Sequence, residues 1–68
     1  MVPPWLKHPQ LLAGSIGWRM GYGEEYRDDF DAWFKRKTPE HKRAYAAAYP
    51  EPQDWSGFYQ RRDVNPQA

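Results

Sequence analysis

Residues 22–37, YGEEYRDDFDAWFKRK, decide the fold, because no other segment is both long and periodic. Placed on a helix at about 100° per residue, Tyr22, Tyr26, Phe30, Trp33 and Phe34 share one arc of roughly 120°. Glu24, Glu25, Arg27, Asp28, Asp29, Asp31, Lys35 and Arg36 fill the remainder. The stretch therefore reads as an amphipathic helix whose inward face is aromatic. Gly23 is placed as its N-cap, with Glu24 and Glu25 complementing the free amides of the first turn.

On the C-terminal side, Thr38-Pro39-Glu40-His41 starts a second helix. Thr38 serves as N-cap, and Pro39 takes the first helical position, where a missing N–H is harmless. The apolar row of this helix is His41, Tyr45, Ala48 and Tyr49. Pro50 ends it, since the residue before a proline is pushed out of the α region. A join of one or two residues makes the two aromatic faces meet. After the extended turn Pro50-Glu51-Pro52, the segment Asp54-Trp55-Ser56-Gly57-Phe58-Tyr59 returns three aromatics to the pair, with Asp54 placed to cap a short turn.

On the N-terminal side, Pro3, Pro4, Pro9, Gly14, Gly17, Gly21 and Gly23 prevent any long regular element. Yet Trp5, Leu6, Leu11, Leu12, Ile16, Trp18 and Met20 are too apolar for a solvated arm. They are expected to wrap across the helices and supply half the core, with a short helical turn at residues 9–13. The fold class is mainly α: a small single domain over residues 1–62. It comprises a helix pair at residues 23–37 and 39–48, an irregular Gly/Pro-rich N-terminal wrap and an aromatic C-terminal return. Residues 63–68 are expected to form a disordered tail.

Composition explains why the core should be aromatic. A chain of 68 residues hides only about 60 % of its unfolded surface, so its centre must be dense or reinforced. The absence of Cys removes disulfides and thiolate metal sites together. Val2, Leu6, Leu11, Leu12, Ile16 and Val64 are the only Val, Leu and Ile, against four Trp, five Tyr and three Phe. Each aromatic side chain buries about 150–250 Å², so few are needed. No apolar run approaches the roughly 20 residues of a membrane span. The first ten residues carry neither the charged leader nor the apolar stretch of a secretion signal. A soluble, cytoplasmic protein with no membrane partner is expected.

The net charge of +1 is unevenly laid out. Residues 24–31 hold five acids and one base, whereas residues 35–43 hold five bases and one acid. Acids at the start of a helix and bases at its end complement its dipole, which accounts for much of this pattern. The acids Glu24, Asp28 and Asp31 share a helical face, but a regular helix does not converge the six or more oxygens that calcium takes. No metal is expected. The glycines at 14, 17, 21 and 23 match neither nucleotide-loop pattern, and Glu24 and Glu25 would repel a phosphate at that helix start. His8 and His41 lack a nucleophile and a carboxylate at useful spacing, and Ser15 and Ser56 lack a nucleophile-elbow context. Catalytic residues and cofactors are therefore assigned as none.

Two binding roles remain. A chain this short cannot fully hide its aromatic surplus, and exposed Trp and Arg anchor interfaces. Trp5, Trp18, Arg19 and Trp55 are the candidates for contacting a protein partner or a second copy of the chain. The alternative is a nucleic-acid surface built on Lys35, Arg36, Lys37, Lys42 and Arg43. Rings such as Trp18, Tyr22, Tyr45 and Tyr59, with Arg19, Arg61 and Arg62, would complete it. The low net charge weighs against that alternative. A non-enzymatic interaction module, acting as adaptor, inhibitor or small subunit, is the first expectation.

Overall fold

The structure, a computed structural model, describes residues 1–64. Its elements in chain order are α1 (Pro4–Lys7), α2 (Tyr22–Lys35) and α3 (Pro39–Ala48), with 3₁₀ turns at Ile16–Trp18, Gln53–Trp55 and Gln60–Arg62. The chain is mainly α, and no strand occurs among the described residues.

Helix α2 starts earlier than the sequence predicts. Gly21, at φ 116°, is the N-cap, and Gly23 lies buried inside the first turn. The reason is close approach. A Cβ on Gly23 would stand 2.5 Å from the Gly17 carbonyl oxygen and 3.0 Å from both Leu11 and Trp18. Only a glycine lets the segment carrying Trp18 lie against the helix. The helix ends at Lys35, two residues short of expectation. Arg36 and Lys37 turn on the carbonyls of Trp33 and Phe34, leading to an extended Thr38. Thr38 caps α3 as predicted, its hydroxyl accepting from the His41 N–H at 3.1 Å.

The core consists of Trp18, Phe30, Phe34, Trp55, Phe58, Tyr59 and Val64. Phe30 is fully buried and stacks on Phe34, with ring centroids 5.4 Å apart and planes 15° from parallel. Phe58 meets Phe30 at 5.7 Å and Trp5 at 5.1 Å, the latter edge-on as the ring quadrupole favours. Helix α3 buries no residue completely. It reaches this core through Tyr45, which touches Phe30, Trp33 and Phe34 at 5.5–5.8 Å, and through Ala46. Its inner face is thus rotated from the predicted row: Tyr45 and Tyr49 are half-buried, but His41 and Ala48 are exposed.

The N-terminal segment departs most from expectation. Its helical turn is Pro4–Lys7, not residues 9–13, because Pro3 and Pro4 supply the extended cap and the pre-set first position. Leu6, Leu12, Ile16 and Met20 are 52–70 % exposed, so this segment does not supply half the core. It contributes Trp18 and the fully buried Pro3 and Pro4, with Trp5, Leu11 and Ala13 at the margin. Trp18 is buried with its indole N–H unpaired among the described residues. Such a group weakens the fold by about 1–3 kcal/mol, which the ring's burial must offset.

At the other end Val64, assigned by sequence to a tail, is buried, and its N–H donates to the Tyr59 carbonyl at 3.0 Å. Asp63, at φ 66°, makes the left-handed turn that returns it. The rest of the expected tail, residues 65–68, lies outside the described residues. Asp54 does not cap a turn; it sits within one and accepts the Ala13 N–H at 3.2 Å, joining the two ends of the chain.

This packing ranks two substitutions. Phe30→Ala should cost about 3–5 kcal/mol, enough to unfold so small a domain. Trp33→Ala should cost clearly less, because Trp33 is half-buried with the Lys37 ammonium 4.6 Å from its ring. Thermal unfolding followed by circular dichroism should separate them; equal losses would contradict the assignment of Phe30 to the centre.

Candidate functional site

The side chains that the sequence offered for partner binding divide between inside and outside. Trp18 and Trp55 are core residues, 1 % and 6 % exposed, and their rings meet edge-on at 5.2 Å. Trp5 is half-buried, held between Trp55 at 5.5 Å and Tyr59 at 5.8 Å. Of the four candidates only Arg19 is exposed. The cause is geometric: an indole fills more volume than any aliphatic side chain, so Trp18 and Trp55 go in while Leu6, Leu12, Ile16 and Met20 stay out.

What the N-terminal segment presents instead is an aliphatic ledge. Leu12, Ile16 and Met20 are exposed along one compact, turn-rich stretch, in which Ser15 donates to the Leu12 carbonyl and Met20 to the Ile16 carbonyl, both at 2.9 Å. The ledge ends beside Tyr22, whose hydroxyl accepts from the Gln10 amide at 3.0 Å and whose ring meets His8 at 4.7 Å. The acidic first half of α2 follows directly. The sequence reading placed these aliphatics in the core; with the segment broken by an extended Ser15 and a short 3₁₀ turn, no periodic signal marks them as exposed.

The basic strip is also divided. Lys37 lies over Trp33, Arg36 is exposed in the interhelix turn, and Arg43 borders a half-open groove of about 500 Å³ between α3 and the return segment. That groove is floored by Ala46, Ala47, Pro50, Tyr59 and Val64. Lys35 and Lys42 belong elsewhere, at a cleft with Arg61 and Arg62 of the return. Arg62 is fixed there. Its guanidinium donates to both Asp31 carboxylate oxygens at 2.6 and 3.2 Å and to the Phe58 carbonyl at 3.0 Å, and it lies 3.8 Å from the Phe58 ring centre. The pairing of Asp31 with Arg62, 31 residues apart, had no sequence signal.

Of the rings that would serve nucleic-acid stacking, Trp18 and Tyr59 are buried and Tyr45 is half-buried; only Tyr22 is exposed. Among the described residues no group of three or more His, Asp or Glu side chains is placed to hold a metal ion. Nor is any helix among them long and apolar enough to cross a membrane. Compared with protein-family models, curated proteins and solved structures, the chain matches none.

Three phenols stitch the structure by donating to backbone carbonyls. Tyr26 reaches Val2 at 2.5 Å, Tyr45 reaches Met1 at 2.8 Å, and Tyr59 reaches Tyr49 at 2.6 Å. Burial pushes all three above the ordinary tyrosine range; neighbouring phenols add to this at Tyr45, and the Glu51 carboxylate adds at Tyr59. A phenol whose folded value is raised contributes stability that is fully present below the unfolded value of 10.0 and lost as pH rises beyond it. Stability should therefore be insensitive to these groups at neutral pH and fall above about pH 10. The ring NMR signals of Tyr26, Tyr45 and Tyr59 should show ionisation only together with unfolding; these three ionising freely at about pH 10 in a folded chain would contradict the burial described.

Proposed function

We propose that this protein is a non-enzymatic interaction module that docks through its N-terminal aliphatic ledge. One observation carries the reading: Leu6, Leu12, Ile16 and Met20 are each more than half exposed in a chain with very few aliphatic residues. Leaving them in water forgoes about 25 cal/mol for each Å² of apolar surface that a partner would cover. All four lie between residues 6 and 20, and exposed apolar side chains concentrated in one part of a small chain are what a contact surface requires.

The partner this surface fits is a second copy of the chain. The ledge is followed in the chain by the acids Glu24, Glu25, Asp28 and Asp29, and the exposed bases Arg36 and Arg43 lie on the same chain. With a net charge of only +1, copies repel little, and paired copies can set acids against bases. The burial of Trp18 and Tyr59 removes most of the stacking platform that the nucleic-acid alternative needs.

Sedimentation and amide NMR at several concentrations test the proposal. Association should be visible by about 1 mM, with dilution-sensitive amides at Leu12, Ile16 and Met20. The double variant Ile16→Asp, Met20→Asp should stay folded and remain monomeric. A wild-type chain that is monomeric throughout, or that associates through residues away from the ledge, would overturn it.

A further inference from the structure

The cleft between the end of α2, the start of α3 and the last 3₁₀ turn has a composition that the docking ledge does not use. It is half-open, about 390 Å³, and three elements each supply a cation: Lys35 from α2, Lys42 from α3 and Arg61 from the return. Arg62 and Asp31 also line it, but each satisfies the other in the only ion pair found among the described residues. Asp63 is the remaining acid at the rim. The formal balance is thus four cations against two carboxylates, and the side chains of Lys35, Lys42 and Arg61 have no hydrogen-bonding or ion-pair partner among the described residues.

Ordinary surface electrostatics explains only part of this. Lys35, in the last turn of α2, is favoured by the helix dipole, but Lys42 lies one turn into α3, where a cation gains nothing from it. The Lys42 ammonium instead sits 5.8 Å from the Phe34 ring, and Phe34 lines the same cleft while being 1 % exposed. Cations of one sign around a concave, low-dielectric wall concentrate their field toward the opening. Arg62, locked by Asp31 and Phe58, gives that wall a rigid edge.

We infer that this cleft is a binding site for a phosphate group, either free or as a phosphate monoester. A tetrahedral dianion can take donors from three directions and neutralise more than one cation. A flat carboxylate, with one charge, would engage one guanidinium and leave both ammonium groups unpaired. Because no exposed ring lines the cleft, recognition rests on the phosphate and not on a stacked base. The site is independent of the aliphatic ledge and stands whether or not the chain pairs with itself.

The test is an amide NMR titration of the full chain with inorganic phosphate, with acetate at matched ionic strength for comparison. Phosphate should give saturable shifts at residues 35, 42, 61 and 62 in the low millimolar range, and acetate should not. Lys42→Gln and Arg61→Gln should each weaken the response about tenfold, as expected for losing a charged hydrogen bond; Arg19→Gln should leave it unchanged. Arg19 and Arg61 are exposed and Lys42 is half-buried, and the dispersed spectrum itself reports that each variant is folded. Phosphoserine and a nucleoside monophosphate, titrated in parallel, separate the sources: equal binding means that phosphate alone is read, and tighter binding of one names the monoester. Shifts that never saturate, that appear equally at Lys7 and Arg19, or that survive both cleft substitutions would overturn the assignment.

Discussion

The packing around the Phe58 ring is the constraint on which the rest of the structure depends. Phe58 touches Phe30 of α2, Trp5 of the N-terminal segment, Trp55 and Tyr59 of its own segment, and the guanidinium of Arg62. The pieces around this cluster could not fold alone: α1 is a single turn, the return has only 3₁₀ turns, and α3, which joins through Tyr45 on Phe30, Phe34 and Tyr59 without touching Phe58, buries nothing completely. Isolated helices shorter than about 12–15 residues are marginal in water, so these pieces are stable only because one aromatic cluster collects them. Polar ties then fix the geometry. Glu51 accepts from the Gly57 and Tyr59 N–H groups at 2.9 and 3.1 Å, holding the turn that aims Phe58 inward, and Arg62 bonds that turn to Asp31 of α2.

Filling a small core with rings has a consequence at the surface. Seven core residues include only one aliphatic, Val64, so most remaining aliphatics have no interior place. They collect on the N-terminal segment, of which only Pro3, Pro4 and Trp18 are buried, Trp18 where Gly17 and Gly23 allow its close approach to α2. The apolar ledge and the aromatic core are thus two results of the same composition. The basic cleft arises differently, from the short interhelix turn and the return crossing the same end of α2.

The helices were legible because their signals are local. The aromatic arc of residues 22–37 and the Thr38-Pro39 start depend on spacing and backbone chemistry within a few residues, and both elements form where those signals lie. The first glycine-rich stretch was misread for the opposite reason. Gly23 resembles a cap in sequence, but its role is set by the Gly17 carbonyl above it, a tertiary contact. Hydropathy alone put Leu12, Ile16 and Met20 inside and raised the prospect of Trp18 and Trp55 outside; competition for a limited volume reversed both. The cleft was half legible: residues 35 and 42 stood out as basic, but their company with Arg61 and Arg62 depends on how the last segment folds back.

The central claim is that one Phe58-centred cluster makes the N-terminal segment, the helices and the return a single cooperative unit. The most direct test is the amide NMR spectrum of Phe58→Ala. Deleting the ring should remove dispersed signals throughout residues 1–64 together, because no piece survives without the others. A spectrum in which α2 and α3 keep their native shifts while only the segment around residue 58 collapses would contradict it, and would mean that the helix pair holds itself together.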